Sequence, residues 1–169
     1  MQLSCVSPEA ELVSLISSTT PVGIDAPTET VASIEAACAV LEKSAPPNLT
    51  DLPLTGVHDL LFSMAKGGSN GKLGPFTGKV TQTFVNDSDF VNAVELGPVK
   101  VMLKATREVL DAERVRVSFV ETVFTLFGKE LFKSETKGTG VWKFRYFNKK
   151  SGVRVMDTPS LFILKRRDE

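Results

Sequence analysis

Hydrophobic residues in the first part of the chain recur at the spacing of amphipathic helices. Ser7 can cap a first helix, and Pro8 can occupy its first turn. A second helical pattern begins at Pro27–Thr30 and ends before Pro46, because proline cannot continue a helix. The apolar stripes are Leu12, Val13, Leu15 and Ile16 in the first pattern, and Val31, Ile34, Ala37, Cys38 and Leu41 in the second.

From about Leu52 onward the hydrophobic period changes to two, which is the pattern of β-strands with one buried face and one wet face. Turn-forming clusters such as Gly67–Gly71 and Asn148–Gly152 separate the strands. Short strands at fairly even spacing predict an antiparallel barrel or a highly curved sheet, rather than alternating β–α units. The predicted inner faces include Val80, Gln82, Phe84, Val99, Val101, Leu103, Val115, Val117, Phe119, Trp142, Phe144 and Tyr146.

Two predicted strands are apolar on both faces and depart from this alternation. They are Val120–Phe127 and Ser160–Leu164. A strand with two apolar faces needs a cover on its outer side. The N-terminal helices, a lipid or a partner protein could each supply that cover, and the sequence leaves these three open.

The 169 residues suit one domain of the mainly β (α+β) class. We expect a helical part over about 8–45 and a lipocalin-like β-barrel part over about 52–167. The apolar runs are only a few residues long, whereas a helix that spans a bilayer needs about 20. Met1–Cys5 show neither the basic region nor the apolar stretch of a targeting peptide, so whether a presequence was removed stays open.

The inventory of reactive side chains argues against an enzyme. His58 is the only histidine, and Cys5 and Cys38 are the only cysteines, with no spacing typical of a zinc site. Neighbouring residues on a strand face opposite ways, so Asp59 cannot orient the His58 ring for catalysis. We therefore expect a wall-lining or hydrogen-bonded His58, two idle thiols rather than a disulfide, no catalytic residue and no metal site.

Charge is distributed unevenly along a chain whose formal net charge is zero. Residues 1–65 carry eight acidic side chains and one basic side chain, whereas residues 129–167 carry eleven basic and three acidic ones. The basic part could face an anionic lipid surface or an acidic protein. Alternatively, the two parts could fold together and neutralise each other, and charge alone does not decide between these readings.

A basic and aromatic stretch near the end of the chain superficially resembles a nucleic-acid surface. Lys143 and Arg145 alternate with Trp142, Phe144 and Tyr146, so the two sets face opposite ways. A single patch therefore cannot stack bases and bind phosphates together. We expect no nucleic-acid partner.

Six segments in a fixed order give the chain a specific likeness. Their sequences are L-E-K-S-A-P-P (Leu41–Pro47), L-T-G-V-H-D-L-L-F-S (Leu54–Ser63), L-G-P-F-T-G-K-V-T-Q-T-F (Leu73–Phe84), E-R-V-R-V-S-F (Glu113–Phe119), G-V-W-K-F-R-Y-F (Gly140–Phe147) and V-R-V-M-D-T-P-S-L-F-I-L-K-R (Val153–Arg166). This pattern resembles the plastid lipid-associated protein family, the plastid fibrillins, over about Pro8 to Arg167. The chain departs from the family at His58, where a tryptophan is usual, and at Asp157–Pro159, where a glycine-containing turn is usual.

The resemblance implies a lipocalin-like barrel without fixed catalytic residues. It also implies a plastid location, peripheral on thylakoid membranes or plastoglobules, and a bound lipid, prenylquinone or carotenoid. On this reading the ligand lies in an apolar cup. The cup residues are Phe84, Val101, Leu103, Val117, Phe119, Trp142, Phe144 and Tyr146.

A second hypothesis is a peripheral structural subunit or assembly factor of a thylakoid photosynthetic complex. It rests on the strands with two apolar faces, the uneven charge and the absent tryptophan. Under either hypothesis a basic surface could dock on anionic lipid or acidic loops. The candidate docking residues are Lys143, Arg145, Lys149, Lys150, Lys165, Arg166 and Arg167.

Overall fold

Two α-helices precede a large antiparallel sheet in the computed structural model, which describes residues 6–51, 54–66 and 68–167. Helix α1 spans Pro8–Ser17, and the Ser7 hydroxyl caps it by accepting a hydrogen bond from the Ala10 amide at 3.2 Å. Helix α2 spans Thr28–Ser44 and ends before Pro46. Both helices lie where the hydrophobic spacing predicts them.

The strands that follow form one nine-stranded sheet and a separate two-stranded hairpin. They are β1 (Gly56–Ser63), β2 (Lys72–Leu73), β3 (Phe76–Thr77), β4 (Lys79–Phe84), β5 (Asp89–Leu96), β6 (Val99–Val109), β7 (Arg114–Leu126), β8 (Lys129–Glu135), β9 (Thr139–Phe147), β10 (Val153–Asp157) and β11 (Leu161–Arg166). The large sheet has the order β6-β5-β4-β1-β11-β10-β9-β7-β8. Because β6 also pairs with β7, the sheet nearly closes into a barrel-like ring. The predicted fold class is confirmed.

Apolar side chains form two clusters on opposite sides of the sheet. One cluster lies inside the barrel, and the other joins the helices to the outer surface of the sheet. The inner cluster includes Phe84, Phe90, Val115, Val117, Trp142, Phe144 and Leu164. The outer cluster includes Leu12, Ile34, Cys38, Leu41, Tyr146, Val155 and Ile163.

Strand β11 shows why one of the two unusual segments is apolar on both faces. Phe162 and Leu164 belong to the inner cluster, whereas Leu161 and Ile163 belong to the outer cluster with the helices. All four side chains are buried. The helices therefore cover the outside of this strand, which is the first of the three covers that the sequence left open.

Strand β7 differs, because its apolar second half is only partly covered: Val123 is buried, whereas most of its neighbours are half-buried. Val120 has no partner on β6 and bulges out, with 48% of its surface exposed. Phe124 stacks on Phe132 of β8 with ring centroids 4.5 Å apart. Phe127, in the turn between β7 and β8, is 78% exposed.

A second bulge, in β9, corrects the predicted alternation of its aromatic residues. Tyr146 pairs with Val155 and Phe144 pairs with Met156, so Arg145 is the extra residue between them. An inserted residue reverses the faces of the residues beyond it. Tyr146 consequently lies in the outer cluster beneath the helices and does not line the barrel interior.

Candidate ligand-binding cup

A buried pair, His58 of β1 and Arg154 of β10, fills one end of the barrel. We call this end the closed end. Both residues are fully buried. An Arg154 guanidinium nitrogen, Nη2, donates to Nε2 of His58. The other ring nitrogen, Nδ1, lies 3.1 Å from the Gly56 carbonyl oxygen. His58 is thus hydrogen-bonded within the wall, as the sequence predicts.

These two partners define the protonation of His58. A carbonyl can only accept, so Nδ1 carries the proton, and a guanidinium can only donate, so Nε2 is unprotonated. Burial and the nearby charge of Arg154 lower the pKa of His58 from 6.5 to about 3. The ring is therefore neutral throughout the physiological pH range.

Aromatic rings surround the Arg154 side chain in place of a carboxylate. Its guanidinium carbon lies 4.9 Å from the centre of the Phe84 ring and 5.0 Å from that of Phe147. Arg107 approaches the Phe84 ring as well, at 5.0 Å. Burial and the repulsion of Arg107 lower the pKa of Arg154 to about 9, so the group keeps its charge at neutral pH.

The opposite end of the barrel, which we call the open end, contains a cavity of about 280 Å³. We call this cavity the main cavity. Its apolar wall consists of Phe90, Leu103, Phe119, Trp142 and Phe162, and its polar residues include Gln82 and Asn92. Ala65, Lys66 and Ser69 lie on the β1–β2 connection, and Thr158–Ser160 form the β10–β11 turn; both segments contribute to the wall. The size and the mixed lining are typical of a small-molecule site.

A second cavity of about 210 Å³, the side cavity, adjoins the first. The two share Ser69, Asn92 and Leu103. The side cavity adds Leu73, Val94, Val101 and Thr122 to the lining. The shared residues place the two cavities side by side, with the side cavity lying along β5, β6 and β7.

Two amide oxygens of the main cavity lack a protein partner. Gln82 Oε1 and Asn92 Oδ1 are buried, and no group among the described residues donates a hydrogen bond to either. Gln82 and Asn92 are paired neighbours on β4 and β5. Buried polar atoms are nearly always hydrogen-bonded in folded proteins, so these two oxygens, like Nε and Nη1 of Arg154 at the closed end, are exceptions.

The structure divides the predicted cup residues among four places. Leu103, Phe119 and Trp142 line the main cavity, and Val101 lines the side cavity. Phe84, Val117 and Phe144 belong to the filled core and are fully or almost fully buried. Tyr146 lies outside, under the helices.

Sequence reasoning missed the polar residues of the cavity. Gln82 stands between Val80 and Phe84 on a predicted inner face, and Asn92 stands between Phe90 and Val94. A polar residue on an otherwise apolar face was the available signal. Phe162 lies in a segment whose sequence indicates only a strand that is covered on both faces.

The predicted basic docking residues also divide into distinct groups. Arg145 lies beneath α2, where its guanidinium pairs with Glu35 at 2.7 Å and Glu42 at 3.0 Å. Lys143 pairs with Glu42 at 3.3 Å and with Glu113 at 3.8 Å. Burial lowers the pKa of Arg145, but its hydrogen bonds with Glu35 and Glu42 outweigh burial and raise it overall. At Lys143 and Arg145, therefore, the acidic first part of the chain (1–65) neutralises the basic last part (129–167).

The other basic candidates lie at the closed end, away from the cavities. Lys149 and Lys150 are exposed in the β9–β10 turn, and Arg166 donates to the Lys149 carbonyl at 3.0 Å. Lys165 is exposed on β11. Arg167 pairs with Asp59 at 2.6 Å.

Exposed apolar residues occur around the open end. Met64 follows β1 beside the main cavity, and Phe76 lies in the β2–β3 hairpin. Leu131 and Phe132 of β8, together with Phe127, form an apolar tip on the β7–β8 hairpin, with Leu131 64% and Phe132 51% exposed. We call these three residues the hairpin tip.

The described residues offer little for other chemistry. No three or more His, Cys, Asp or Glu side chains come together in this part of the chain as a metal site would require. Burial raises the pKa of the Cys38 thiol to about 12, and Cys5 lies outside the described residues. None of the helices found there has both the length and the apolar character to cross a bilayer.

Comparison of the chain with protein-family models, with curated proteins and with solved structures finds no match.

Proposed function

We propose that this protein is a non-enzymatic plastid lipid-associated protein that holds a lipid, prenylquinone or carotenoid at a thylakoid or plastoglobule surface. The observation that carries the proposal is the main cavity, which has a largely apolar wall, adjoins the side cavity and lies at the open end of the barrel. The motifs that resemble the plastid fibrillins support the plastid location and the ligand class.

Binding would be passive and driven by loss of water from apolar surface. A ligand group that buries roughly 200 Å² of apolar surface contributes about 5 kcal/mol at ~25 cal/mol per Å². The loss of free motion on association offsets part of this gain. A ligand longer than the main cavity can extend over Val101 and Leu73 in the side cavity.

The exposed apolar residues support a membrane-facing orientation of the open end. Phe127, Leu131 and Phe132 form the hairpin tip, and Lys129 and Lys133 on β8 are exposed beside them. Apolar side chains can enter the headgroup region, and each nearby lysine contributes about 1 kcal/mol on an anionic surface. A ligand could then pass between the membrane and the cavity without crossing water.

The test is organic extraction of the purified natural protein followed by mass spectrometry. We expect a lipid, quinone or carotenoid in near-stoichiometric amount. The matched variants are Leu103→Arg, which places a charge in the main cavity, and Val141→Arg, at a position that is 49% exposed. The ligand should be lost from the first variant and kept by the second, and protein that carries no such molecule would contradict the proposal.

A second candidate is a peripheral subunit or assembly factor of a thylakoid photosynthetic complex. The hairpin tip favours it, because contiguous exposed apolar residues often mark interaction surfaces. Native-gel separation of mildly solubilised thylakoids would test it. Migration with a chlorophyll-bearing complex that Phe127→Glu abolishes and Val141→Glu preserves supports this candidate, and migration at low mass opposes it.

A further inference from the structure

We infer that the ligand of the main cavity carries a hydroxyl group, which donates to Gln82 Oε1 and Asn92 Oδ1. The inference rests on the proposed function and names the polar end of its ligand. An oxidised quinone or a hydrocarbon carotenoid offers no such donor. The predicted ligand class is therefore a prenylated phenol or hydroquinone, or a hydroxylated isoprenoid.

The first argument is the burial of unpaired acceptors. Gln82 is only 3% exposed, and its carbonyl oxygen has no donor among the described residues, as is true of Asn92 Oδ1. A buried acceptor without a partner costs about 1–3 kcal/mol. Leucine or methionine would fill either position without that cost. The two amides therefore lower the stability of the fold unless a ligand supplies the missing donor.

The second argument is their convergence. Gln82 and Asn92 face each other across the β4–β5 pair, where side chains on one face start about 5 Å apart. Both residues line the main cavity, and Asn92 also lines the side cavity. Both oxygens are closed to water in the structure, so one group at the junction of the two cavities reaches them once the amide side chains turn towards it.

The third argument concerns the charge of the donor. Lys66 is the charged residue of the main-cavity lining, and no carboxylate lines that cavity within the described residues. A positive ligand group would meet Lys66 without a counter-charge, whereas a carboxylate group would meet two acceptor oxygens. A neutral hydroxyl group satisfies the acceptors without either penalty.

The surrounding wall fits a ring that carries such a hydroxyl group. Phe90, Trp142 and Phe162 are aromatic neighbours of the cavity, and its volume of about 280 Å³ can hold one substituted ring. The apolar tail would then follow Val101 and Leu73 along the side cavity. This arrangement places the polar end inside the barrel and the tail towards its open end.

The experiment compares para-hexylphenol with para-hexylanisole, its methyl ether, which lacks the donor. Binding of each probe to the full chain is measured by isothermal titration. We expect the phenol to bind about 10- to 100-fold more tightly, which corresponds to a lost hydrogen bond to buried acceptors. Equal affinities would overturn the inference and leave the proposed function standing, whereas failure of both probes to bind would contradict both.

The variants Gln82→Leu and Asn92→Leu assign the donor contact to these residues. Each should reduce the preference for the phenol at least several-fold while the anisole still binds, because leucine adds apolar surface. The matched control is Thr83→Leu, on the next residue of β4, which should keep the wild-type ratio. An unchanged ratio of phenol to anisole affinity in both cavity variants would overturn the inference. The comparison of the two probes on the wild-type chain does not depend on how any variant folds.

Discussion

Arg154 donates a hydrogen bond to His58 inside the closed end of the barrel, where both side chains are fully buried. This contact fixes the histidine in a neutral form, because Nε2 accepts from Arg154 and Nδ1 donates to Gly56. The buried pair also distinguishes this end of the barrel from the other. The closed end is charged and its interior is packed, whereas the main cavity and the side cavity lie at the open end.

The first prediction is that His58 remains neutral far below its ordinary pKa. Because it is the only histidine, its ring gives a single set of imidazole signals in an NMR titration. Burial and Arg154 should keep these signals unshifted until the pH approaches about 3. Titration near 6.5 in the folded protein would show that the ring is accessible to water and not held as described.

The second prediction is a loss of stability in mild acid. The unfolded chain binds a proton at His58 near pH 6.5, whereas the folded chain does so only near pH 3, so stability falls as the pH drops through this window. Between pH 8 and pH 5 the free energy of unfolding should decrease by about 2 kcal/mol. Chemical denaturation at several pH values measures it.

The matched variant for this second prediction is His58→Gln, since an amide can also donate to Gly56 and accept from Arg154. Its stability should change little over the same pH range. An equal slope in the variant and the wild type would assign the acid sensitivity to other groups.

The third prediction concerns Arg145, one of the candidate docking residues in the sequence. Removal of its charge in Arg145→Met should lower the free energy of unfolding by about 1–2 kcal/mol, because Glu35 and Glu42 lose a shared partner but remain partly solvated. Lys150→Met, at an exposed position, should change stability by less than about 0.5 kcal/mol. Equal stability of the two variants would show that Arg145 does not join α2 to the barrel.

The fourth prediction distinguishes the two faces of β9. Tyr146 donates to the Glu9 carboxylate at 2.6 Å, so Tyr146→Phe should cost roughly 1.5 kcal/mol of stability. It should leave ligand affinity unchanged, because Tyr146 lies outside the barrel. Trp142→Phe, on the inner face, should instead weaken ligand binding. Affinity loss in Tyr146→Phe at a temperature where it is folded would contradict this placement.

The fifth prediction concerns which end approaches a membrane. Reversal of charge at Lys129 and Lys133, beside the hairpin tip, should weaken the flotation of the protein with anionic vesicles. These vesicles contain galactolipid and phosphatidylglycerol. The matched control reverses Lys149 and Lys150, at the closed end. The opposite result would place the closed end on the lipid and turn the cavities away from it.

Regular periodicity made much of this fold predictable from the sequence. Capping by Ser7 and the break at Pro46 located the helices, and the period of two located the main strands. The two apolar faces of β11 correctly indicated that something covers its outer side. Each of these features depends on residues close together in the chain.

Features that depend on an inserted residue or on a distant partner were not predictable in this way. The bulges at Val120 and Arg145 reverse the faces of the residues that follow them, and a period of two cannot reveal them. In the sequence, Arg154 is one of the eleven basic residues of the segment 129–167. In the structure it is buried in the core, where it contacts His58 and the aromatic rings. Gln82 was visible on an apolar face, yet only the three-dimensional cavity shows why a polar side chain there matters.

The most direct test of the central claim is a fluorescence titration with a bromine-substituted para-hexylphenol, because bromine quenches tryptophan at short range and the hydroxyl group supplies the donor. Trp142 is the only tryptophan of the chain and lines the main cavity, so its emission reports on that site alone. The account predicts saturable quenching with a single site, lost in Leu103→Arg and kept in Val141→Arg. Weak, non-saturating quenching that is equal in all three proteins would show that the cavity does not hold such a ligand.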